Sequence, residues 1–366
     1  MSLLKKFFKF VYLSATCLAG GGILATFLAM RLTPESLSVF SNVGLAFPIF
    51  WGLTVALFLL GVVLHAKISI YPFVIGLFSL PMLFVYCPLN LFRTNPPLEH
   101  IKILSFNVMG FNSLQKEGGK NSIIEYLKES GADILCLQEY AEGGRSSSKR
   151  LSREDILTEL KSYPYSKVVA IGDKHGGNQL ACFSKYPIVR TERLSYASDY
   201  NGSALFTIKK GVDTLYVLNN HLESNKLTRE DKVKYEKIIG NPNKDKVRGD
   251  GLYLLRKIEE AAQLRAKQVE KIVEVVEMYN DKKLIVCGDF NDSPLSYSHY
   301  LLRRSGLSDA FTESGRGLGI SYNQNRFYFR IDHILHSKRL KAYKCSVDRT
   351  IKTSDHYPVY CYLSNY

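Results

Sequence analysis

A chain of 366 residues has room for more than one domain, and its formal net charge of +14 is unevenly spread. Residues 1–92 hold Lys5, Lys6, Lys9, Arg31 and Lys67 against Glu35, a net +4, which leaves +10 to residues 93–366. Seven cysteines without paired or zinc-ligand spacing exclude a disulfide framework and a zinc finger. Cys17 and Cys87 fall in apolar spans, Cys136, Cys182, Cys287 and Cys361 sit inside strand-like runs, and Cys345 stands alone, so buried free thiols are expected.

From the N-terminus, three stretches reach the ~20 apolar residues that a helix needs to cross a hydrocarbon core: 10–30, 43–64 and 68–89. The first is longer than the apolar segment of a secretory signal, and two more spans follow it, so residues 1–92 are read as a retained three-helix anchor. Near absence of charge argues against the alternative of a three-helix soluble core. Lys5, Lys6 and Lys9 precede the first span and Lys67 lies between the second and third, whereas the first loop offers only Arg31 and Glu35. The positive-inside bias then predicts a cytoplasmic N-terminus and, after three crossings, an extracytoplasmic domain of an integral (bacterial inner) membrane protein. Residues 93–100, "RTNPPLEH", read as a short, stiff tether.

Beyond it, residues 101–366 form one α/β domain. Strand-like runs are "IKILSFNV", "ADILCLQE", "QLACFSKY", "TLYVLNNH", "KLIVCGDF", "RIDHILH" and "HYPVYCYL". Helical periodicity marks "NSIIEYLKESG" and the stretch 254–278, where Ile258, Ala262, Val269, Ile272, Val273 and Val276 make an apolar stripe. Strands interleaved with helices predict packed layers around one core. The charged stretch 225–250 reads as an insertion, either a solvated loop or a loose helical hairpin, and "AEGGRSSSKR" (141–150) as a basic loop.

Polar residues collect at the ends of these strands. In "KLIVCGDFNDSP" an uninterrupted apolar run, expected to be buried on both faces, ends on Asp289 and Asn291. Asn107 closes "ILSFN", Glu139 closes "ILCLQE", His221 closes "VLNNH", Asp332 opens "DHIL", and Asp355 and His356 precede "YPVYCYL". An Asx turn explains any one of these stations. Six of them, restricted to Asn, Asp, Glu and His, point instead to one pocket.

The order "GDFN", "RIDHIL", "SDHYPV" resembles the endonuclease/exonuclease/phosphatase superfamily, which includes DNase I, exonuclease III-type nucleases, neutral sphingomyelinases and inositol-polyphosphate 5-phosphatases. The resemblance covers residues 101–366. It implies a four-layer α/β sandwich, two mixed β-sheets face to face with helices outside, and hydrolysis of a phosphoester with Mg²⁺ or Mn²⁺. Such chemistry asks for positioning and charge neutralisation, and Mg²⁺ takes oxygen ligands while keeping waters. Carried onto this chain, the resemblance makes Glu139 the first metal ligand with Asn107 beside it, and Asp355 a ligand for a second ion. Asp289 would orient or deprotonate the attacking water, held by Asn291, and Asp332 would orient His356, which acts as base or as electrostatic stabiliser. His221 would neutralise a phosphate oxygen or protonate the leaving group.

A histidine at 221 is similar to the DNase I, sphingomyelinase and inositol-phosphatase branches. A basic domain suits a lipid headgroup, nucleic acid or a sugar phosphate, and no basic run interleaved with aromatics of the kind that stacks single-stranded bases is present. The anchor favours an extracytoplasmic phosphoester such as a lipid headgroup. A metal-dependent endonuclease of the cell envelope and an inactive membrane-tethered binding module are the alternatives. No protein partner is inferable, and the loops at 141–150 and 225–250 are expected to select the substrate.

Overall fold

A computed structural model describes residues 3–365 except 93, 113–119, 144–150, 173–177, 241–243, 323 and 325–327. The chain opens with α1 (Leu3–Ala29), a single turn α2 (Pro34–Leu37), a 3₁₀ stretch (Ser38–Ala46), α3 (Phe47–Val63) and α4 (Ile70–Tyr86). Three helical segments are long and apolar enough to cross a membrane: Leu3–Ala29, Phe40–Val63 and Lys67–Tyr86. They begin and end a few residues away from the sequence-predicted spans, and they run antiparallel. At one end of the bundle the Tyr12 hydroxyl donates to Leu57 O. At the other end Met30, Phe47, Met82 and Val85 pack with Leu295 of the folded domain. The N-terminus and the domain therefore lie at opposite ends of the bundle.

Strands and helices then follow as β1 (Ile101–Asn107), α5 (Ser122–Glu129), β2 (Ile134–Tyr140), α6 (Arg153–Glu159), β3 (Tyr165–Ala170), β4 (Gln179–Ser184), β5 (Ile188–Arg193), β6 (Gly202–Lys210) and β7 (Asp213–His221). Next come α7 (Arg229–Gly240), α8 (Lys244–Tyr279), β8 (Lys283–Asp289), α9 (Tyr297–Arg304), β9 (Ser308–Asp309), α10 (Ala310–Ser314), β10 (Asp332–His336), β11 (Leu340–Val347) and β12 (Val359–Asn365). Two mixed six-stranded sheets result, ordered β11-β12-β1-β2-β4-β3 and β5-β6-β7-β8-β10-β9. Each has one parallel pair, β1/β2 and β7/β8, and is otherwise antiparallel.

Alternation along each strand splits its apolar residues between two layers. Ile103, Ile134, Cys136, Cys182, Phe206, Val217, Ile285 and Cys287 fill the space between the sheets. Leu104, Phe106, Leu135 and Phe183 face outward onto Ile123, Leu127 and Ile156 of α5 and α6. Leu218, Leu284 and Val286 meet Val269, Ile272 and Val276 of α8, the stripe predicted from spacing. This is the four-layer sandwich that the motif order implies. All seven cysteines are free, and Cys345, alone in the sequence, lies buried in β11.

Of the two expected forms, the charged insertion takes the helical one: α7 packs on a 36-residue α8 that begins ten residues before the predicted stripe, and an ion pair joins Lys257 to Asp231. The residues just before the tether are docked on the domain. Asn90 Nδ2 donates to Thr312 O (3.1 Å) and Gly315 O (2.7 Å), and Gly317 N donates to Pro88 O (2.9 Å).

Candidate active site

Strand register builds the site. In the second sheet His221 of β7 stands opposite Asp289 of β8, and Asp332 of β10 stands opposite Asp289 from the other side, so three functional groups share one row. In the first sheet Asn107 pairs with Gln138, which leaves Glu139 one position beyond. A bulge between Leu137 and Tyr140 and a positive φ of 48° at Glu139 turn its carboxylate from the direction regular pleating would give it. A non-glycine residue held there costs on the order of 1 kcal/mol, and such strain clusters at functional sites.

The Asn107 amide spans the gap between the sheets. Its Nδ2 donates to Glu139 Oε1 (3.1 Å) and to Asp289 Oδ2 (3.1 Å), while its Oδ1 accepts from Met109 N (3.1 Å). His221 Nε2 stands 3.8 Å from Glu139 Oε1 and 3.7 Å from Asp289 Oδ2. His356 Nδ1 is 2.8 Å from Asp332 Oδ2, and its Nε2 is 3.5 Å from Asp289 Oδ2. Asn291 N donates to Asp289 Oδ1 (2.9 Å), and its side-chain amide is turned away to Leu222 O (3.0 Å). Asn291 thus holds Asp289 through its backbone, in a left-handed conformation (φ 51°) that asparagine tolerates.

Charge accounts for the protonation states. Burial opposes a charge on His356, but the carboxylates of Asp332 and Asp289 outweigh it and raise its pKa to about 10. Asp289 is pushed above the usual carboxylate range by burial, with Asp332 adding to the push and His356 and His221 resisting it. Burial raises Asp355 as well, helped by Glu139 and Asp289 against His356. Carboxylates held up in this way, around a set of oxygen donors, suit a hard divalent cation.

A second buried group, His299, Asp309 and His333, also brings three potential ligand atoms within 4.8 Å of one another. Burial depresses both imidazole pKa values, Arg330 lowers them further, and its fixed positive charge opposes a cation. Asp309 meanwhile caps α10 through Phe311 N (2.9 Å), a structural task.

The strand-end candidates line a separate cleft of about 500 Å³, whose walls include Glu139, His221, Asp289, Asn291, Asp355 and His356. Asn107 and Asp332 sit against these residues, bonded to Glu139, Asp289 and His356. All eight candidates are therefore brought together. Residues 144–150 of the basic loop lie outside the described residues.

The supporting groups were barely legible in the sequence. Ser354 Oγ bonds Asn107 O (2.7 Å), and Ser321 Oγ accepts from Asp332 N (3.1 Å). Beneath the site Gln138 Nε2 reaches Asn219 Oδ1 (2.6 Å), tying the sheets together by a buried amide pair. Polar residues inside otherwise apolar strands were the available signal. Tyr322, edge-on to His356 with ring centroids 5.0 Å apart, had none.

The Asp332–His356 pair makes a pH prediction for the metal-free protein. A histidine whose folded pKa (about 10) exceeds its model-peptide value near ~6.5 contributes stability that is complete below the lower value and is lost as pH rises through the upper one. With EDTA present, the melting temperature of wild type should exceed that of Asp332→Asn most at neutral pH, and the gap should close by about pH 10.5. A gap that stays constant from pH 7 to 10.5 would show that this pair does not hold the proton.

Solved structures with similar folds were found. The human Nocturnin catalytic domain with bound sulfate is 16% identical with a TM-score of 0.50, over 76% of this chain and 98% of that one. An endonuclease/exonuclease/phosphatase from Beutenbergia cavernae is 14% identical with a TM-score of 0.49, over 73% and 72%. Humanized D. rerio TDP2 is 15% identical with a TM-score of 0.48, over 73% and 99%. Identities this low speak to fold alone. No curated protein sequence matches the chain. Residues 104–356, which hold every candidate site residue, match the Endonuclease/Exonuclease/phosphatase family, and the chain belongs to that family of phosphoester hydrolases.

Proposed function

We propose that this chain is a membrane-anchored, divalent-metal-dependent phosphoester hydrolase whose catalytic domain lies outside the cytoplasm. The observation that carries the reading is the meeting of Glu139, Asp289, His221 and His356 in one cleft, drawn from four strand ends or loops of two sheets. The antiparallel bundle supports the topology, because a cytoplasmic N-terminus then leaves the domain on the opposite side.

Glu139, Asn107 and Asp355 would hold Mg²⁺ or Mn²⁺, which, when bound, neutralises charge on the phosphoryl oxygens. His356 is charged at neutral pH and so stabilises the phosphate electrostatically; it has no free pair with which to act as base. The water proton therefore goes to Asp289, which Asn107 and Asn291 orient through its two oxygens. As the water oxygen bonds phosphorus and the ester P–O bond breaks, His221 gives a proton to the leaving oxygen. It is buried, with Nε2 3.8 Å from Glu139 and 3.7 Å from Asp289, on the opposite side of Asp289 from His356.

The test is hydrolysis of bis(p-nitrophenyl) phosphate and p-nitrophenyl phosphate by the full-length protein in detergent. Activity should appear with Mg²⁺ or Mn²⁺, vanish with EDTA, and drop at least about 10²-fold in Glu139→Ala and His356→Ala. Variants as fast as wild type on every substrate would overturn the site assignment.

A further inference from the structure

The cleft has a wall that belongs to none of the catalytic strands. Asn42, Leu45, Ala46 and Ile49, from the apolar segment Phe40–Val63, line the same cavity as Asp289 and His356. Leu227, Tyr235 and Ile258 of the insertion and α8 line it as well. The wall is fixed in place. Asn42 Nδ2 reaches Ile258 O (3.5 Å), Lys267 pairs with Glu35 (3.0 Å), and Gly44 lies so close to Leu295 that an added Cβ would come within 2.6 Å of its carbonyl oxygen. Arg31, at the end of the first span, sits over the Tyr300 ring (4.9 Å).

The cavity is thus polar at one end and apolar at the other, and the apolar end continues onto a helix able to cross a bilayer. Ile49 is 70% exposed, although a large apolar side chain there gains nothing from water. It lies in the first turn of α3, only ~3 Å along the axis from the helix start, within the apolar segment Phe40–Val63.

Resting on the phosphoester-hydrolase reading of this cleft, we propose that the anchor is part of the substrate site and that the substrate is a membrane lipid phosphodiester, its phosphate at Asp289 and His356 and its hydrocarbon arm running past Leu45, Ala46 and Ile49 into the bilayer. A cavity of about 500 Å³ takes a head group and the first part of a chain. The remainder stays in the membrane, so hydrocarbon is never drawn into water. Polynucleotide fits this wall poorly. Binding it requires a series of free cations along the backbone, whereas within the cleft Lys226 is paired with Glu223 (2.7 Å) and Arg265 is buried against Asp292 (3.3 Å). The net +10 of residues 93–366 favours an anionic lipid surface. Hydrolysis would break one P–O bond of the ester, leaving the water's hydroxyl on phosphorus and its other proton on Asp289, while His221 protonates the departing alcohol oxygen.

The experiment uses full-length protein in dodecyl maltoside micelles with Mg²⁺ and compares phosphatidylglycerol, its deacylated analogue glycerophosphoglycerol, plasmid DNA and bis(p-nitrophenyl) phosphate. Phosphatidylglycerol should be cleaved with kcat/KM at least roughly tenfold above the deacylated analogue. Ile49→Asn, chosen because the side chain is exposed and the fold does not depend on it, should reduce the ratio of lipid to bis(p-nitrophenyl) phosphate turnover by about tenfold, mainly through KM. Equal rates on acylated and deacylated substrates, faster cleavage of plasmid, or an unchanged ratio in Ile49→Asn would each overturn the lipid assignment while leaving the hydrolase reading standing. If wild type cleaves none of the four, the hydrolase reading falls, and this inference falls with it.

Discussion

Asp289→Asn is expected to lower kcat on bis(p-nitrophenyl) phosphate by about 10²–10⁴-fold without lowering the melting temperature of the metal-free protein. The two halves of this prediction have one origin. Asp289 is buried at the end of β8, and burial is the leading reason its pKa stands above the usual carboxylate range. A carboxyl with a raised folded pKa binds its proton more tightly in the native state than in the unfolded one, so its ionised form at pH 7 works against stability. The amide has the same shape and no charge to desolvate. Its oxygen can keep the bond from Asn291 N, now at 2.9 Å, while the bond from Asn107 is replaced by a donor facing a donor. What disappears is the group able to accept a proton between His221 and His356, at 3.7 and 3.5 Å. Turnover measured beside thermal unfolding in EDTA separates the effects. A kcat within a few-fold of wild type would remove Asp289 from the chemistry, and a large drop in melting temperature would mean that the loss of activity is a folding defect.

The parts of the molecule that were legible in the sequence are those whose physics is local. β8 is readable because "LIVC" is apolar at every position, which only a strand covered on both faces tolerates. The apolar stripe of α8 and the three long spans follow from periodicity and length alone. Of the missed strands β3, β5, β6, β9 and β11, two share a cause. β3 ("YSKVVA") and β5 ("IVRTER") lie at sheet edges with half their residues in water, so neither gives a continuous apolar run. The helical start of α8 precedes the apolar stripe and so has no periodicity to read; there Lys234 of α7 pairs with Asp250 (3.6 Å). The candidate residues were found by type and position at strand ends, but no sequence pattern states that Asn42 and Ile258, 216 positions apart, share a wall. Contacts of that range are made only when a bundle and a domain dock. For the same reason no pattern shows that Asn90, just before the tether, is bonded to Thr312 and Gly315.

Gly288→Ala should be the most damaging single-methyl change in this domain, destabilising it by about 3 kcal/mol or more and abolishing turnover with it. Gly288 precedes Asp289 with φ at +135°, a region that residues with a side chain rarely enter. A Cβ built there would lie 2.0 Å from Asn220 O and 2.8 Å from Asn220 N, all backbone atoms of the neighbouring strand β7. Nothing flexible is available to yield. Asn220 is itself locked, its Nδ2 donating to Cys287 O (2.8 Å) and its Oδ1 accepting from Ser203 Oγ (2.6 Å). Relief therefore requires β7 and β8 to part at the register position that sets His221 opposite Asp289. Stability and catalysis should fail together, in contrast to Asp289→Asn, where only catalysis fails. Gly249→Ala is the control: it lies in α8 with open space around the added methyl, and there alanine should be neutral or stabilise by up to about 1 kcal/mol. Thermal unfolding of the three proteins in one detergent decides the matter, and a Gly288→Ala protein that melts within a degree of wild type would show that β7 and β8 can separate here at no cost.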